Sequence, residues 1–400
     1  MEATTTRLEV EGEPSDSFAE KVTPLELFFD LVFVFAFTQV TGLMAENPTA
    51  EGLGQGMLVL AAVWWAWGGY AWLTNSLHSD DGIARVGLLA AMAAMLVAAL
   101  AVPQAFGDDS IVFGIAYFAV RAIHIAVYTY GAPDLNNKEA IRLLAPGLLA
   151  GPALIMLAGF LDGGAAAGLW VVALVIDYGT PYVRDVSGFT VSPSHFHERF
   201  GLIVIIALGE SIVATGSGLD ATGLTAGVVT TAVAGLVIAG AQWWAYFDVV
   251  ALVAGRRFAD TDRVAQARMA RDSYGVLHLL LIAGVVLVAL GLKKALLHVD
   301  EPLETVPAFA LCGGAALYLL GHVAFRLRNV GSLNRQRLFT SVILVALIPF
   351  AHSVDALVAV LAVAIVHVVL IAYETLHFRD ARERVRHQGE ATLRPPAGAG

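Results

Sequence analysis

Two carboxylates stand four residues apart in an apolar stretch, VTPLELFFDLVFVFAFTQVTG at 22–42, that is long enough to cross a bilayer. Glu26 and Asp30 have i, i+4 spacing and therefore share one face of a helix. Two negative charges on one face repel each other unless a cation or a proton lies between them. The spacing predicts an ion- or proton-binding site, although Glu26 is equally well placed to stabilise the helix N-terminus.

A third carboxylate, Glu210, lies deep in a second apolar stretch, HFHERFGLIVIIALGESIVA at 195–214. It follows Glu198 by twelve residues, or roughly 18 Å along a helix, which places it near the middle of a membrane. His197 and Glu198 stand at the mouth of the same stretch. A carboxylate at this depth is expected to be paired or protonated.

The natural cation for these carboxylates is Arg121, in YFAVRAIHIAVY at 117–128, with His124 three residues further on. Charges within a bilayer cost roughly 2.5–3.5 kcal/mol on insertion scales and normally face the protein interior. We therefore predict that Arg121 pairs with Glu210 or Asp30 in one interior pocket. Asp177, in LVIDYGTPY, is a further candidate for this site.

The composition indicates the setting in which these residues act. Of 400 residues, 58% are hydrophobic and 14% are charged, whereas a soluble domain has about 25% charged residues. So few charges do not cover the surface of a soluble protein of this size. The chain is predicted to be an all-α polytopic membrane protein whose partner is the lipid bilayer.

The apolar stretches predict twelve transmembrane helices. They span 24–44, 52–76, 84–105, 110–131, 140–160, 164–182, 199–217, 222–250, 274–295, 306–328, 335–351 and 353–378. Basic residues near span ends predict orientation, because cytoplasmic loops carry an excess of Lys and Arg. The even-numbered loops and the C-terminal flank hold nearly all of them, and the odd-numbered loops hold Lys293 and Lys294. Both termini are therefore expected in the cytoplasm, with the protein in the plasma membrane.

The two halves of the chain resemble each other. ELFFDLVFVFAFTQV at 26–40 aligns with ERFGLIVIIALGESI at 198–212, and tryptophan pairs occur in both second spans. Six-helix repeats would run parallel, as in many secondary transporters. The predicted organisation is an acidic cytoplasmic segment 1–23, a first six-helix repeat 24–182, a second 199–378 and a disordered cytoplasmic tail 379–400.

Other chemistry has little support in the sequence. It contains neither a Walker A loop, nor a Rossmann fingerprint, nor a G-x-S-x-G elbow, nor an H-E-x-x-H helix. The single cysteine, Cys312, excludes an intrachain disulfide and a cysteine-based metal cage. No cofactor, metal or nucleic acid partner is expected. A small solute or ion is expected as the bound partner.

The motifs ELFFDLVFVFAFTQV and HFHERFGLIVIIALGESIVA resemble those of the bacterial low temperature requirement A family over about residues 20–380. The family consists of multispanning membrane proteins first linked to growth in the cold. The resemblance marks positions in the two motifs without assigning roles to them. These positions are Glu26, Phe28, Phe29, Asp30, His197, Glu198, Arg199, Gly209, Glu210 and Ser211.

The leading hypothesis is a transporter or permease, with proton coupling as one version of it. Asp30, Arg121 and Glu210 would line its central site, and His197 and Glu198 its cytoplasmic entrance. One alternative is a membrane enzyme acting on lipids, in which carboxylates and histidines at the interface perform acid–base work. These residues are Glu26, Asp30, Asp177, His195, His197 and Glu198. The other alternative is a non-catalytic membrane scaffold or sensor.

Overall fold

The computed structural model describes residues 22–77, 82–132, 134–184, 186–217, 223–380 and 382–384. Every regular element in these ranges is a helix, which confirms the all-α prediction. The predicted segment 1–23, apart from residues 22 and 23, and most of the predicted tail 379–400 lie outside them.

The helices follow one another through short connections. In chain order they are α1 (Pro24–Glu46), α2 (Ala50–Ser76), α3 (Gly82–Ala101), α4 (Ser110–Gly131), α5 (Leu135–Ala158), α6 (Gly163–Val183), α7 (Pro193–Ser217), α8 (Ala226–Phe247), α9 (Val250–Ala259), α10 (Arg263–Met269), α11 (His278–Leu297), α12 (Thr305–Val330), α13 (Arg335–Ala346), α14 (Ile348–Ala351) and α15 (Ala356–His377). A 3₁₀ turn (Val102–Gln104) extends α3, and a π-helix (Ala270–Leu277) joins α10 to α11.

Short polar side chains begin many of these helices. Thr23 and Glu26 form a reciprocal capping box at the start of α1, so Glu26 has the capping role that its position predicted. Thr49 accepts from the backbone N–H of Gly52 at the start of α2. Asn334 does the same for Arg337 at the start of α13. Each cap satisfies a backbone N–H that would otherwise be orphaned.

Ten helices among the described residues are long and apolar enough to cross a membrane. They correspond to ten of the twelve predicted spans. The predicted seventh span is present as the 25-residue helix α7 but is not among these ten. The predicted eleventh span is divided into α13 and α14 at Leu347, two residues before Pro349. The twelve-span count and the two six-helix repeats therefore stay predictions.

The two halves follow the same order of helix contacts. In the first half α1 packs against α2 and α3, α3 against α4, and α4 against α5. In the second half α7 packs against α8 and α11, α11 against α12, and α12 against α13. The first helices of the halves, α1 and α7, also touch each other. Residues on α1 and α7 can therefore form contacts between the halves.

Hydrogen bonds gather several helix ends at one end of the bundle. Asn75 at the end of α2 bonds the backbone of Ser192, and Asn137 of α5 accepts from the N–H of Thr190. Arg263 donates to the Thr190 hydroxyl. We call this the basic end, because the arginine-rich segment 256–271 lies there.

Candidate functional site

Helix α2 separates two groups of buried polar side chains. Its sequence WWAWGGYAW at 64–72 places Trp64 and Trp67 on one face, since they are three residues apart. Trp67 donates its indole N–H to Asp30 of α1. On another face Trp65 stacks on Tyr178 of α6 with ring centroids 4.1 Å apart. One face of α2 thus meets α1 and α7, and the other meets α4 to α6.

On the first face, Arg199 of α7 lies between the two carboxylates of α1. Its Nη1 donates to Glu26 Oε1 at 3.1 Å, and its Nη2 donates to Asp30 Oδ1 at 2.5 Å. All three side chains are at most 1% exposed. The guanidinium supplies the cation that the i, i+4 carboxylates need.

Thr74, His195 and Asn75 complete this network. Thr74 of α2 accepts from Arg199 Nη1 at 2.7 Å. His195 donates from Nε2 to Glu26 at 3.2 Å, while its Nδ1 accepts from the Asn75 side chain. These bonds fix the ring orientation of His195. His195 and Arg199, four residues apart on α7, therefore meet Glu26 and Asp30, four residues apart on α1.

On the other face of α2, Arg121 forms an ion pair with Asp177. Nη2 of Arg121 lies 3.0 Å from Asp177 Oδ1, and both side chains are 1% exposed. Arg121 sits at the middle of α4, and Asp177 lies six residues before the end of α6. This pair joins two helices of the first half of the chain.

A cavity of about 70 Å³ opens beside this pair, between α2, α4, α5 and α6. We call it the first-half cavity. Its walls combine aromatic rings with two guanidinium groups. The lining includes Trp65, Gly68, Trp72, Arg121, His124 and Arg271.

Three polar atoms on this wall have no hydrogen-bond partner among the described residues. They are Nε of Arg121 and Nδ1 of His124, on buried side chains, and the indole Nε1 of Trp65. His124 donates from Nε2 to the Gly69 carbonyl at 2.9 Å, which leaves Nδ1 of the neutral ring as a bare acceptor. Buried polar groups are normally satisfied, so the cavity has the chemistry of a site that takes a polar ligand.

The π-helix forms another part of the wall. Its Gly275 carbonyl accepts from the indole N–H of Trp64 at 2.6 Å. Arg271 donates to the Pro181 carbonyl and lies 4.0 Å from the centroid of the Tyr182 ring. Segments of this kind are frequent at functional sites. Through Arg271 and Gly275 of the π-helix, the second half of the chain closes a cavity formed mainly by the first half.

Residues 21–372 match the family of bacterial low temperature requirement A proteins (LtrA). The chain belongs to this family. An uncharacterized protein of Rhizobium meliloti (strain 1021) is 27% identical over 361 residues, covering 85% of this chain and 87% of the relative. The resemblance inferred from the two sequence motifs is thereby confirmed.

The two motifs that carry the LtrA resemblance contact each other in the structure. Glu26 and Asp30 come from the first motif, and Arg199 from the second. Thr38 near the end of the first motif donates to Glu210 of the second at 2.5 Å. In this LtrA protein the motifs thus form the contact between α1 and α7.

The predicted meeting of Asp30, Arg121 and Glu210 is wrong. Asp30 pairs with Arg199, Arg121 pairs with Asp177, and Glu210 accepts from Thr38. The physical reason is that α2 lies between Arg121 and α1, so each cation pairs on its own side of that helix. Glu210 lies eleven residues beyond Arg199 on α7, roughly 16 Å along the helix.

The predicted entrance residues differ in their surroundings. His197 is half-buried, and its Nδ1 lies 3.0 Å from the Tyr274 hydroxyl in the π-helix. Glu198 is exposed. Arg199 belongs to the second motif but was not among the site residues predicted from the sequence. The i, i+4 spacing of His195 and Arg199, matching that of Glu26 and Asp30, was the available signal.

Few of the histidines and carboxylates proposed for catalysis or metal binding are free among the described residues. No group of three His, Cys, Asp or Glu side chains that could hold a metal occurs in the part of the chain that the structure describes. Glu26, Asp30 and His195, proposed for acid–base work, are engaged by Arg199, Trp67 and Asn75. This arrangement fits a structural role better than proton transfer to a substrate.

The Arg121–Asp177 pair generates a stability prediction. Arg121→Met leaves Asp177 buried without its cation, which costs about 3–5 kcal/mol. The double variant Arg121→Met/Asp177→Leu removes both charges and should regain most of that loss. Thermal unfolding of the detergent-solubilised protein, followed by fluorescence-detected size exclusion, measures both.

Arg142→Gln serves as the control, because Arg142 is an exposed arginine in the same half. It should leave the unfolding midpoint within experimental error of wild type. If Arg121→Met unfolded at the wild-type midpoint, the pair would have no such role.

Proposed function

We propose that this protein is a membrane permease that carries a small amphipathic organic anion through the first-half cavity. The observation that supports it most is the cavity wall, where aromatic rings stand beside Arg121, His124 and Arg271. Arg121 Nε has no acceptor among the described residues and can donate to the anion, while His124 Nδ1 can accept from a donor group elsewhere on the solute. A ligand pocket typically combines an apolar lining with a few such polar groups and has a volume of roughly 300–1,000 Å³, so this cavity of about 70 Å³ must widen to admit a solute.

The charge of the wall favours an anion. Two guanidinium groups line the cavity, and no carboxylate of the described residues does. Their counter-ions, Asp177 and Asp272, lie behind the wall. Arg121 is held by Asp177 through Nη2, so its Nε remains available to a ligand oxygen. Trp65 and Trp72 offer flat apolar surfaces for the rest of the solute.

Matching contacts in the two halves support a parallel duplication. Tyr117 of α4 donates to the Ala62 carbonyl of α2, and Tyr318 of α12 donates to the Gln242 carbonyl of α8. Four residues after each tyrosine stands a buried basic side chain, Arg121 or His322. Such contacts are expected if α7 to α15 repeat the arrangement of α1 to α6. Transporters with parallel repeats bind solute at or near the repeat interface.

Movement between the halves would then open and close the cavity. Arg199 of the second half is held by Glu26 and Asp30 of the first. Arg271 reaches the Pro181 carbonyl across the cavity edge. A shift of the π-helix relative to α6 would break this last bond and admit solute from the basic end. This is the rocking of one bundle against another that alternating access requires.

Transport is tested by filling the cavity without altering a charge. A Cβ added at Gly68 meets no atom within 4 Å, so Gly68→Leu should extend into the cavity. In proteoliposomes, wild type should take up benzenesulfonate, which remains anionic at working pH. Gly68→Leu should reduce that uptake at least about tenfold, because the solute and the new side chain compete for the same space.

Gly54→Leu is the matched control on α2. Gly54 is exposed and also has open space around its Cβ, so transport should continue at the wild-type rate. Wild-type uptake equal to that of protein-free liposomes, for benzenesulfonate and for a panel of aromatic carboxylates, would count against the permease. A change in membrane lipid composition on deletion of the gene would then favour the lipid enzyme, and no change the scaffold or sensor.

The orientation proposed from the basic residues has its own test. Glu139 and Asp162 are exposed residues at opposite ends of α5. Glu139 lies in its first turns, and Asp162 lies just beyond its end, before α6. The native Cys312 is buried and should not interfere with labelling. A membrane-impermeant maleimide added to intact cells should label Asp162→Cys and not Glu139→Cys, because the basic end faces the cytoplasm. The reverse pattern would contradict this orientation.

A further inference from the structure

A second pocket, of about 380 Å³, lies at the basic end between α8, α12, α13 and α15. We call it the second-half pocket. These four helices are the second, fourth, fifth and sixth long helices of the second half. The first-half cavity is bounded by the corresponding helices of the first half, α2, α4, α5 and α6. Its charged lining consists of Arg326, Arg335, Arg337, Arg382 and Glu374. Guanidinium groups therefore outnumber carboxylates on its wall.

Arg337 is fixed in place with one nitrogen unused. Glu374 accepts from its Nε and Nη2, both at 2.9 Å, and the Ala245 carbonyl accepts from Nη2 at 3.1 Å. Nη1 has no hydrogen-bond partner among the described residues, although Arg337 is only 4% exposed. A buried guanidinium donor that is held rigidly and left unpaired is prepared for an acceptor from outside the protein.

His322 on the same wall is also unsatisfied. It is 2% exposed, and neither ring nitrogen has a partner among the described residues. The rings of Tyr318 and Tyr246 pack against it at 4.8 and 6.0 Å between centroids. These contacts fix the imidazole while leaving its N–H free to donate. Two buried side chains in one pocket, Arg337 and His322, thus have nitrogens without a hydrogen-bond partner among the described residues.

The remaining charges favour an anion in this position. Glu374 is occupied by Arg337, and Arg382 is paired with Asp248. Arg326 and Arg335 are exposed at the rim. Arg335 also opens α13, whose N-terminus adds a favourable field for negative charge. Phosphate oxygens match this combination of guanidinium donors and a helix start.

An apolar groove continues from the pocket between α13 and α15. Its volume is about 530 Å³, and Arg335 and Gln336 line both the groove and the pocket. Phe339 is 67% exposed and Val369 61% exposed along it. In a membrane this surface faces hydrocarbon. The site therefore has a basic end for a headgroup and an apolar trough for a chain.

We propose that the second-half pocket and this groove bind one anionic phospholipid. The phosphate contacts Arg337 and Arg335, and an acyl chain lies between α13 and α15. Anionic lipids concentrate in the cytoplasmic leaflet and attract clustered arginines there. The groove decides between a lipid and a free phosphate, because a free anion needs no apolar trough. This site does not depend on transport through the first-half cavity.

Lipid retention measured by native mass spectrometry tests the proposal. Protein from nanodiscs of phosphatidylcholine with added phosphatidylglycerol should retain one phosphatidylglycerol. Arg326→Gln/Arg335→Gln should weaken that retention at least about tenfold, since two headgroup charges are lost. Val366→Trp, which narrows the groove, should abolish retention without changing a charge.

Arg256→Gln/Arg257→Gln is the matched control. It removes the same charge at the basic end outside the pocket and should retain the lipid like wild type. Equal loss in this control would show nonspecific attraction and overturn the proposal. Binding of inorganic phosphate that survives Val366→Trp, with no preference for phosphatidylglycerol, would overturn the lipid and leave a small-anion site.

Discussion

The arrangement of this protein depends on one constraint, which is that Glu26 and Asp30 are buried side by side and need a cation. Arg199 provides it from the other half of the chain. Desolvating such charges is costly, and the attraction between them repays the cost only when geometry and additional hydrogen bonds are good. Trp67, Thr74 and His195 supply those bonds. The cluster therefore requires α1, α2 and α7 to be together.

With α2 held in this way, its second face is available for a cavity. Trp65, Gly68 and Trp72 line that face, and Arg121 and His124 of α4 lie across from them. In the second half, the matching pocket has a different lining. Where the first is lined mainly by apolar and aromatic residues, the second is bordered by arginines and opens onto an apolar groove. If the halves arose by duplication, the two proposals together mean that one cavity would have specialised for a solute and the other for a lipid headgroup.

The sequence predicted the helical membrane class, most of the spans and the burial of Glu26 and Asp30 within protein. These follow from composition, apolar length and the cost of charge in lipid. It did not predict which cation meets which carboxylate. Depth along a helix can be read from residue number, but the direction a side chain faces depends on neighbouring helices. Its depth along α4 predicted Arg121 as the partner of Asp30 or Glu210. In the structure α2 lies between Arg121 and α1, and Arg121 pairs with Asp177 instead. The π-helix and the break between α13 and α14 also depend on packing between helices, which the hydrophobic periodicity of the sequence does not reveal.

Arg199 joins the two halves of the chain by compensating the charge of Asp30, and a double-mutant cycle measures this link. The cycle compares unfolding of wild type, Asp30→Asn, Arg199→Met and the double variant, with the exposed Glu198→Gln as control. We expect a coupling free energy of about 1–3 kcal/mol for Asp30 with Arg199 and none for Glu198 with Asp30. Additive effects of Asp30→Asn and Arg199→Met would contradict it.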